Sequence, residues 1–164
     1  MAQELDLESI DGIVAAVYEV ISGPAGERDW DRERALFVPG ARLVPSGSVA
    51  GMATGVMDLE GYIASRGPYF AAHGIWETEI AREVFEFGSF AHVLSSYEMR
   101  HAPDGPAFLR GINSIQLSHD GRRWWIVSLV WDNERPGLVV PGELLRGGGE
   151  ILMDGPPSQP PVAV

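Results

Sequence analysis

The residues best equipped to act on a small molecule fall on alternate positions of strand-like runs in the second half of the chain. Asn113 and Ser128 sit within two runs that are otherwise apolar on one face, and Tyr97, Met99 and His101 alternate along a third. An amide or hydroxyl on an apolar face must find a partner or look into a cavity, because desolvating it alone costs about 1–3 kcal/mol. Asn113 therefore reads either as the structural partner of Ser128 or as a ligand contact. An amide is a neutral donor at every pH, suited to polarising an oxygen. His101, near a strand end, titrates close to neutrality and is the candidate general base, against the plainer reading of a solvated rim histidine. Tyr18, on the first amphipathic segment, offers either a core hydroxyl or a pocket donor. Trp30, Tyr97, Met99 and Ser128 complete the candidate ligand wall.

Composition removes other chemistries. The chain has no cysteine, and all twelve basic residues are arginine. Disulfides, thiolate nucleophiles and lysine Schiff bases are thereby excluded. Histidines 73, 92, 101 and 119 show no metal-ligand spacing, so no metal site is expected. The triple glycine at 147–149 follows no strand and precedes no helix, so it is no phosphate loop. The expectation is cofactor-free chemistry. A net charge of −11 argues against nucleic acid and anionic membrane surfaces, which demand basic patches. There is no apolar run of 18 residues, and the N-terminus is acidic, so a cytoplasmic protein with no membrane span is expected.

The elements that must carry these residues are legible from periodicity. Residues 5–22 place Leu7, Ile10, Val14, Val17 and Ile21 at helical spacing, ended by Gly23-Pro24. Residues 29–37 form a shorter helix capped by Asp29, with Trp30, Leu36 and Phe37 inward, and 41–44 a short strand closed by Pro45. Residues 46–55 are small and glycine-rich, a loop. A third helix spans 58–72, capped by Asp58 and interrupted by Pro68.

Two long hairpins follow. Gly88-Ser89 suits a type II′ turn, pairing Val84 with Val93 and Ile80 with Tyr97. Glu79 would then oppose Glu98, an unfavourable like-charge pair that a bulge could relieve. Asp120-Gly121 predicts a type I′ turn, setting Leu117 against Trp124, Ile115 against Ile126 and Asn113 against Ser128. On the opposite face Trp125, Val127, Leu129 and Trp131 make an apolar stripe, which predicts a homodimer packed through the outer sheet face. Helices followed by strands indicate an α+β domain over 1–146, with a segment over 136–145 packing back on it. The composition of 147–164 predicts a disordered Gly/Pro-rich tail.

The helix-one phrase AAVYEV, then DWDRERALFVPGARLV, and the closing hairpin SHDGRRWWIVSLVWDNERP carry a resemblance to the NTF2-like superfamily, over roughly residues 5–135. That family includes SnoaL-like cyclases, ketosteroid isomerase and scytalone dehydratase. The resemblance implies a strongly curved mixed or antiparallel sheet wrapped as a cone around three N-terminal helices. It also places Tyr18 at the isomerase's oxyanion-hole tyrosine and Asn113 at its protonated aspartic acid. Pro45 stands where that enzyme has its general base, and a proline ring cannot take a proton. Two functions remain open on this reading. One is a SnoaL-like protein binding a small apolar molecule, with isomerase, dehydratase or cyclase chemistry on a cyclic or carbonyl substrate. The other is a non-catalytic ligand-binding or dimerisation domain.

Overall fold

The computed structural model describes residues 5–47 and 55–146. Most of the 46–55 loop and the whole 147–164 tail lie outside the described residues. Helix α1 spans Ile10–Ile21 and starts where Ser9 accepts the Gly12 N–H in its side chain. Helix α2, Trp30–Arg34, is capped by Asp29, and α3, Leu59–Ala72, by Asp58 accepting from Gly61. Pro68 lies inside α3 without ending it. The strands are β1 (Phe37–Pro45), β2 (Trp76–Phe87), β3 (Phe90–Arg100), β4 (Ala107–His119) and β5 (Trp124–Asn133).

They form one five-stranded sheet in the order β1-β5-β4-β3-β2, antiparallel except for β1, which runs parallel to β5. Proline at position 45 fits this edge placement, since an edge strand can spare an amide donor. The three helices pack on the inner face. There Ile13, Val14, Leu36, Leu43, Val93, Ile115 and Ile126 are fully buried. The expected α+β architecture is observed, with helices on one face of a mixed sheet.

The outer face is covered in part by the segment after β5. A 3₁₀ turn, Gly142–Leu145, buries Leu144, whose carbonyl accepts a hydrogen bond from Ser96 Oγ. Val140 is buried as well, and its N–H reaches Glu134 (2.9 Å). The expected packing of 136–145 back on the domain is observed at Val140 and Leu144.

Two bulges decide which side chains face inward. In the β2–β3 hairpin the register runs as expected from Phe87↔Phe90 through Val84↔Val93, across a turn where Gly88 has φ +59°. It then slips between Glu79 and Ala81, leaving Ile80 unpaired. Glu79 now faces Tyr97, and Glu98 faces Thr78 instead of a second carboxylate. Glu98 pairs instead with Arg100, and with Arg110 at 3.6 Å. The expected bulge is present, and beyond it the parity of β2 inverts: Glu77 and Glu79 turn inward.

The β4–β5 hairpin differs from expectation. Its loop has four residues, 120–123, closed by His119↔Trp124. Asp120 keeps negative φ, which rules out the type I′ turn. Its carboxylate instead accepts the N–H groups of Arg122 (2.8 Å) and Arg123 (2.9 Å) and the Trp125 indole N–H (2.7 Å). Those donors hold the Asp120 carboxyl well below the usual carboxylate range. A second slip leaves Val127 unpaired, so Leu117 meets Ile126, Ile115 meets Leu129, and Asn113 meets Trp131. Ser128 faces Gln116.

This corrects the outer stripe. Leu129 and Trp131 lie on the inner face with Ile115 and Asn113, because the extra residue at 127 flips everything after it. Of the four residues of the expected stripe, Trp125 stays on the outer side, where the Arg123 guanidinium stacks over its ring at 3.3 Å, and Val127 is the exposed, unpaired residue of the bulge.

Gly111 is needed for packing rather than for its backbone angles. A Cβ there would come within 2.6 Å of the Tyr97 hydroxyl and 2.5 Å of the Asp132 carbonyl. Gly111→Ala is expected to lower stability by about 1–3 kcal/mol, measured by urea unfolding, because overpacking forces the Tyr97–Asn133 contact apart. An unchanged midpoint would show that β4 can shift to accept the methyl group.

Candidate active site

The inner face of the sheet and the three helices enclose a cavity of about 220 Å³. Its wall is mostly apolar, with Val17, Leu36, Leu43, Phe70 and Leu129 among its members. Five polar groups interrupt it: Glu33, Arg66, Glu77, Asn113 and Asn133. Tyrosines 62, 69 and 97 also contribute.

Glu77 is placed there by the junction of α1 with β2. Gly23 and Ile75 exchange backbone hydrogen bonds (2.7 and 2.9 Å). Ser22 Oγ donates to the Tyr18 carbonyl (2.7 Å) and accepts the Glu77 N–H (3.0 Å). Arg28 secures the end of α1 by donating to the carbonyls of Ile21, Gly23, Pro24 and Gly26 (2.6–3.1 Å). A cation at a helix C-terminus is favoured by the dipole as well.

Behind Glu77 runs a hydrogen-bond chain whose direction is set by its outer end. Glu79, paired with Arg82 (2.6 Å), accepts from Ser95 Oγ (2.5 Å). With the Ser95 proton committed, the 2.6 Å contact between Tyr18 and Ser95 requires Tyr18 to donate. The Tyr18 oxygen then accepts from Asn113 Nδ2 (3.3 Å), which also donates to Glu77 Oε1 (3.4 Å). Burial and the nearby Glu77 push the Tyr18 hydroxyl up, so it stays neutral. Burial likewise pushes the Glu77 carboxyl up to about 7, partly offset by the Asn113 amide.

Glu33 enters from α2. It is only 4% exposed, and burial with the neighbouring Glu77 charge pushes it up to about 8. Its Oε2 is the one buried polar side-chain atom among the described residues with no hydrogen-bond partner. Tyr97 donates to Asn133 (2.6 Å), and Tyr62 meets the Trp131 ring edge-on at 6.0 Å. A cavity with two titratable carboxyls of raised pKa in an apolar wall can bind a small organic molecule and move a proton on it.

No protein-family model matches the chain, and no curated protein matches it in sequence. Solved structures share its architecture. A Nostoc punctiforme protein of unknown function with a cystatin-like fold aligns with a TM-score of 0.60 at 9% identity, covering 79% of this chain and 96% of that one. A Streptomyces avermitilis protein, provisionally named a dehydratase of the NTF2-like family, aligns at 0.56 and 14% identity, covering 74% and 91%. The fold is NTF2-like. A Shewanella frigidimarina protein, provisionally named a ketosteroid isomerase, adds a third case at 0.53 and 14%, covering 73% and 90%. Identities this low establish the shared NTF2-like architecture alone.

Within this NTF2-like cone the expected residues separate into two groups. Asn113, Tyr97 and Met99 line the cavity, and Tyr18 stands one hydrogen bond behind Asn113. His101 does not. It is exposed beyond the end of β3, stacked on Phe108 at 4.1 Å with its Nδ1 near the Gly74 carbonyl (3.1 Å). Ser128 is turned to the outer face by the bulge at Val127, so it is not the partner of Asn113. Trp30 packs beside Phe70 (6.1 Å) as core rather than cavity wall.

The two carboxyls were missed. Glu33 had a usable signal, since Trp30, Glu33 and Leu36 share a helical face. Glu77 had only an indirect one, the like-charge pairing of Glu79 with Glu98 that pointed to a bulge, and where that bulge settles is fixed by packing. Among the described residues, no group of three or more His, Asp or Glu could hold a metal ion. No helix among the described residues is long and apolar enough to cross a membrane.

Asn113→Leu removes the donor that joins Tyr18 to Glu77. Stability is expected to fall by about 1.5–3 kcal/mol in urea unfolding, because the lost hydrogen bond is one to a carboxyl within the protein. An unchanged unfolding midpoint would show that the amide does not hold the Glu77 carboxyl in place.

Proposed function

We propose that this chain binds a small, largely apolar molecule in its cone and performs cofactor-free acid–base chemistry on it, with Glu77 as the base. The observation that carries the reading is a carboxyl inside an apolar cavity, held by an amide, where burial pushes its pKa up to about 7. Glu77 would take a proton from a carbon beside a carbonyl or a hydroxyl-bearing carbon and return it at a second position. Isomerisation, dehydration and cyclisation all begin with that proton abstraction: the proton returns to another carbon in the first, to the departing hydroxyl as water in the second, and to the oxygen of the carbonyl that the carbanion attacks in the third. Asn113 and Tyr18 act as positioning groups: both contacts of the Asn113 NH₂ are already engaged, so they aim the base rather than cradle an oxyanion. Glu77 fills, from β2, the role left empty by Pro45. The provisional dehydratase and isomerase names of two NTF2-like neighbours agree with this class of chemistry.

A second reading, a non-catalytic ligand-binding domain, draws on the same hydrogen bond, since Asn113 and Glu77 also form a satisfied buried pair. Incubating the protein in D₂O with a panel of small cyclic ketones, and following loss of the α-proton signal by NMR, separates the two. Exchange faster than in buffer supports the base. Thermal shifts without exchange would establish the non-catalytic reading, and neither response would remove the ligand reading.

A further inference from the structure

Glu33 is the cavity group for which the proton transfer at Glu77 has no use. We propose that Glu33 anchors a protonated amine, so that the cavity takes a small apolar molecule bearing one cationic nitrogen. This rests on the cavity being the ligand site, as argued above, and adds the charge of the molecule it selects.

Three observations converge. The Glu33 carboxyl is buried in the cavity wall with Oε2 unpartnered, an arrangement that costs free energy unless something in the cavity completes it. Aromatic rings line the same space: Tyr62 and Tyr97, together with Phe70 and Trp131, which already carry the Arg28 and Arg66 guanidinium groups over their rings at 5.3 and 6.0 Å, and such rings attract cations. The chain carries a net charge of −11, which draws cations inward and repels anions. A carboxylate ligand would add a third carboxyl beside Glu33 and Glu77, while Arg66, the cation in the same wall, already lies over the Trp131 ring. A neutral alcohol could donate to Oε2 but would leave the aromatic faces without a charge to attract.

The charged and titratable groups coupled to Glu33 are Glu77, Arg34 and the Tyr62 hydroxyl; Arg66 lines the same cavity, 6.0 Å over the Trp131 ring. At neutral pH the Glu33 carboxyl of the empty cavity holds its proton. When an alkylammonium ion enters, that proton passes to solvent, and an N⁺–H···O⁻ hydrogen bond forms to Glu33. No other bond changes, and close to one proton is released per ligand bound.

The test is titration calorimetry of the full chain at neutral pH with 2-phenylethylamine, 2-phenylethanol and phenylacetate, repeated in two buffers of different ionisation enthalpy. The amine is expected to bind at least ~10-fold more tightly than the alcohol, as a charge-assisted bond plus cation–π contact implies. Proton release should approach one, and phenylacetate should not bind. Glu33→Gln, checked for folding by circular dichroism, should abolish both the preference and the proton release, and Glu33→Asp should retain part of each. Equal binding of amine and alcohol, or an amine preference unchanged in Glu33→Gln, overturns the anchor. If ketone exchange persists without amine preference, only the anchor falls. If no probe of any charge binds and no ketone exchanges, the cavity reading falls with it.

Discussion

Glu77→Gln is expected to slow α-proton exchange of any ketone the wild type accepts by roughly 10²- to 10⁴-fold, the usual contribution of a positioned general base. The amide keeps the size of the carboxyl and an oxygen that can accept from Asn113 Nδ2, so ligand affinity should change far less than rate. That split identifies a base rather than a binding group. Wild-type exchange should rise with pH through about 7 as Glu77 loses its proton, and the variant should lose that rise. Glu77→Asp keeps a carboxyl but withdraws it by one methylene, and intermediate rates are expected. Exchange that continues undiminished in Glu77→Gln would assign the proton transfer elsewhere in the cavity.

Stability should fall as pH rises from about 5 to about 8.5. Glu33 and Glu77 both have folded-state values above the ordinary 4.5, at about 8 and about 7. Between the unfolded and folded values the native state holds more protons than the unfolded chain. Their stabilising contribution is therefore complete below the ordinary value and is lost as pH climbs through the raised ones. At about 1.4 kcal/mol per pKa unit, Glu33 alone accounts for a loss on the order of 3–5 kcal/mol.

Asp6, Glu60, Asp120 and Asp132 are shifted the other way, by hydrogen bonds from Ser9, Arg34, Arg123 and Arg135 respectively. Their contributions are lost on acidification, which places the stability maximum in the mildly acidic range. Urea titrations at half-unit pH steps measure the slope directly. Glu33→Gln should flatten it and leave the variant more stable than wild type at pH 8.5. Wild-type stability that instead increases from pH 5 to 8.5 would show that neither carboxyl is held protonated by the fold.

The sequence by itself determined the element order and most of the core. Helical spacing in α1, the caps at Asp29 and Asp58, and the glycine turn at Gly88 are local signals, each tied to a backbone requirement satisfied within a few residues. The NTF2-like arrangement of helices on one face of a bent sheet followed from those signals and from the resemblance. Asn113, Tyr97 and Met99 were legible because alternation fixes a face wherever register is regular.

What only the tertiary structure decided is which carboxyls enter the cavity. One extra residue at Ile80 turns Glu77 inward, and one at Val127 turns Trp131 and Leu129 inward and Ser128 out. The like-charge clash of Glu79 with Glu98 hinted at the first bulge, but no sequence feature marked the second. A strand has a period of two, so a single inserted residue exchanges its faces. Where that insertion settles depends on the packing and charge pairing of strands far apart in the chain, which no local window of sequence contains.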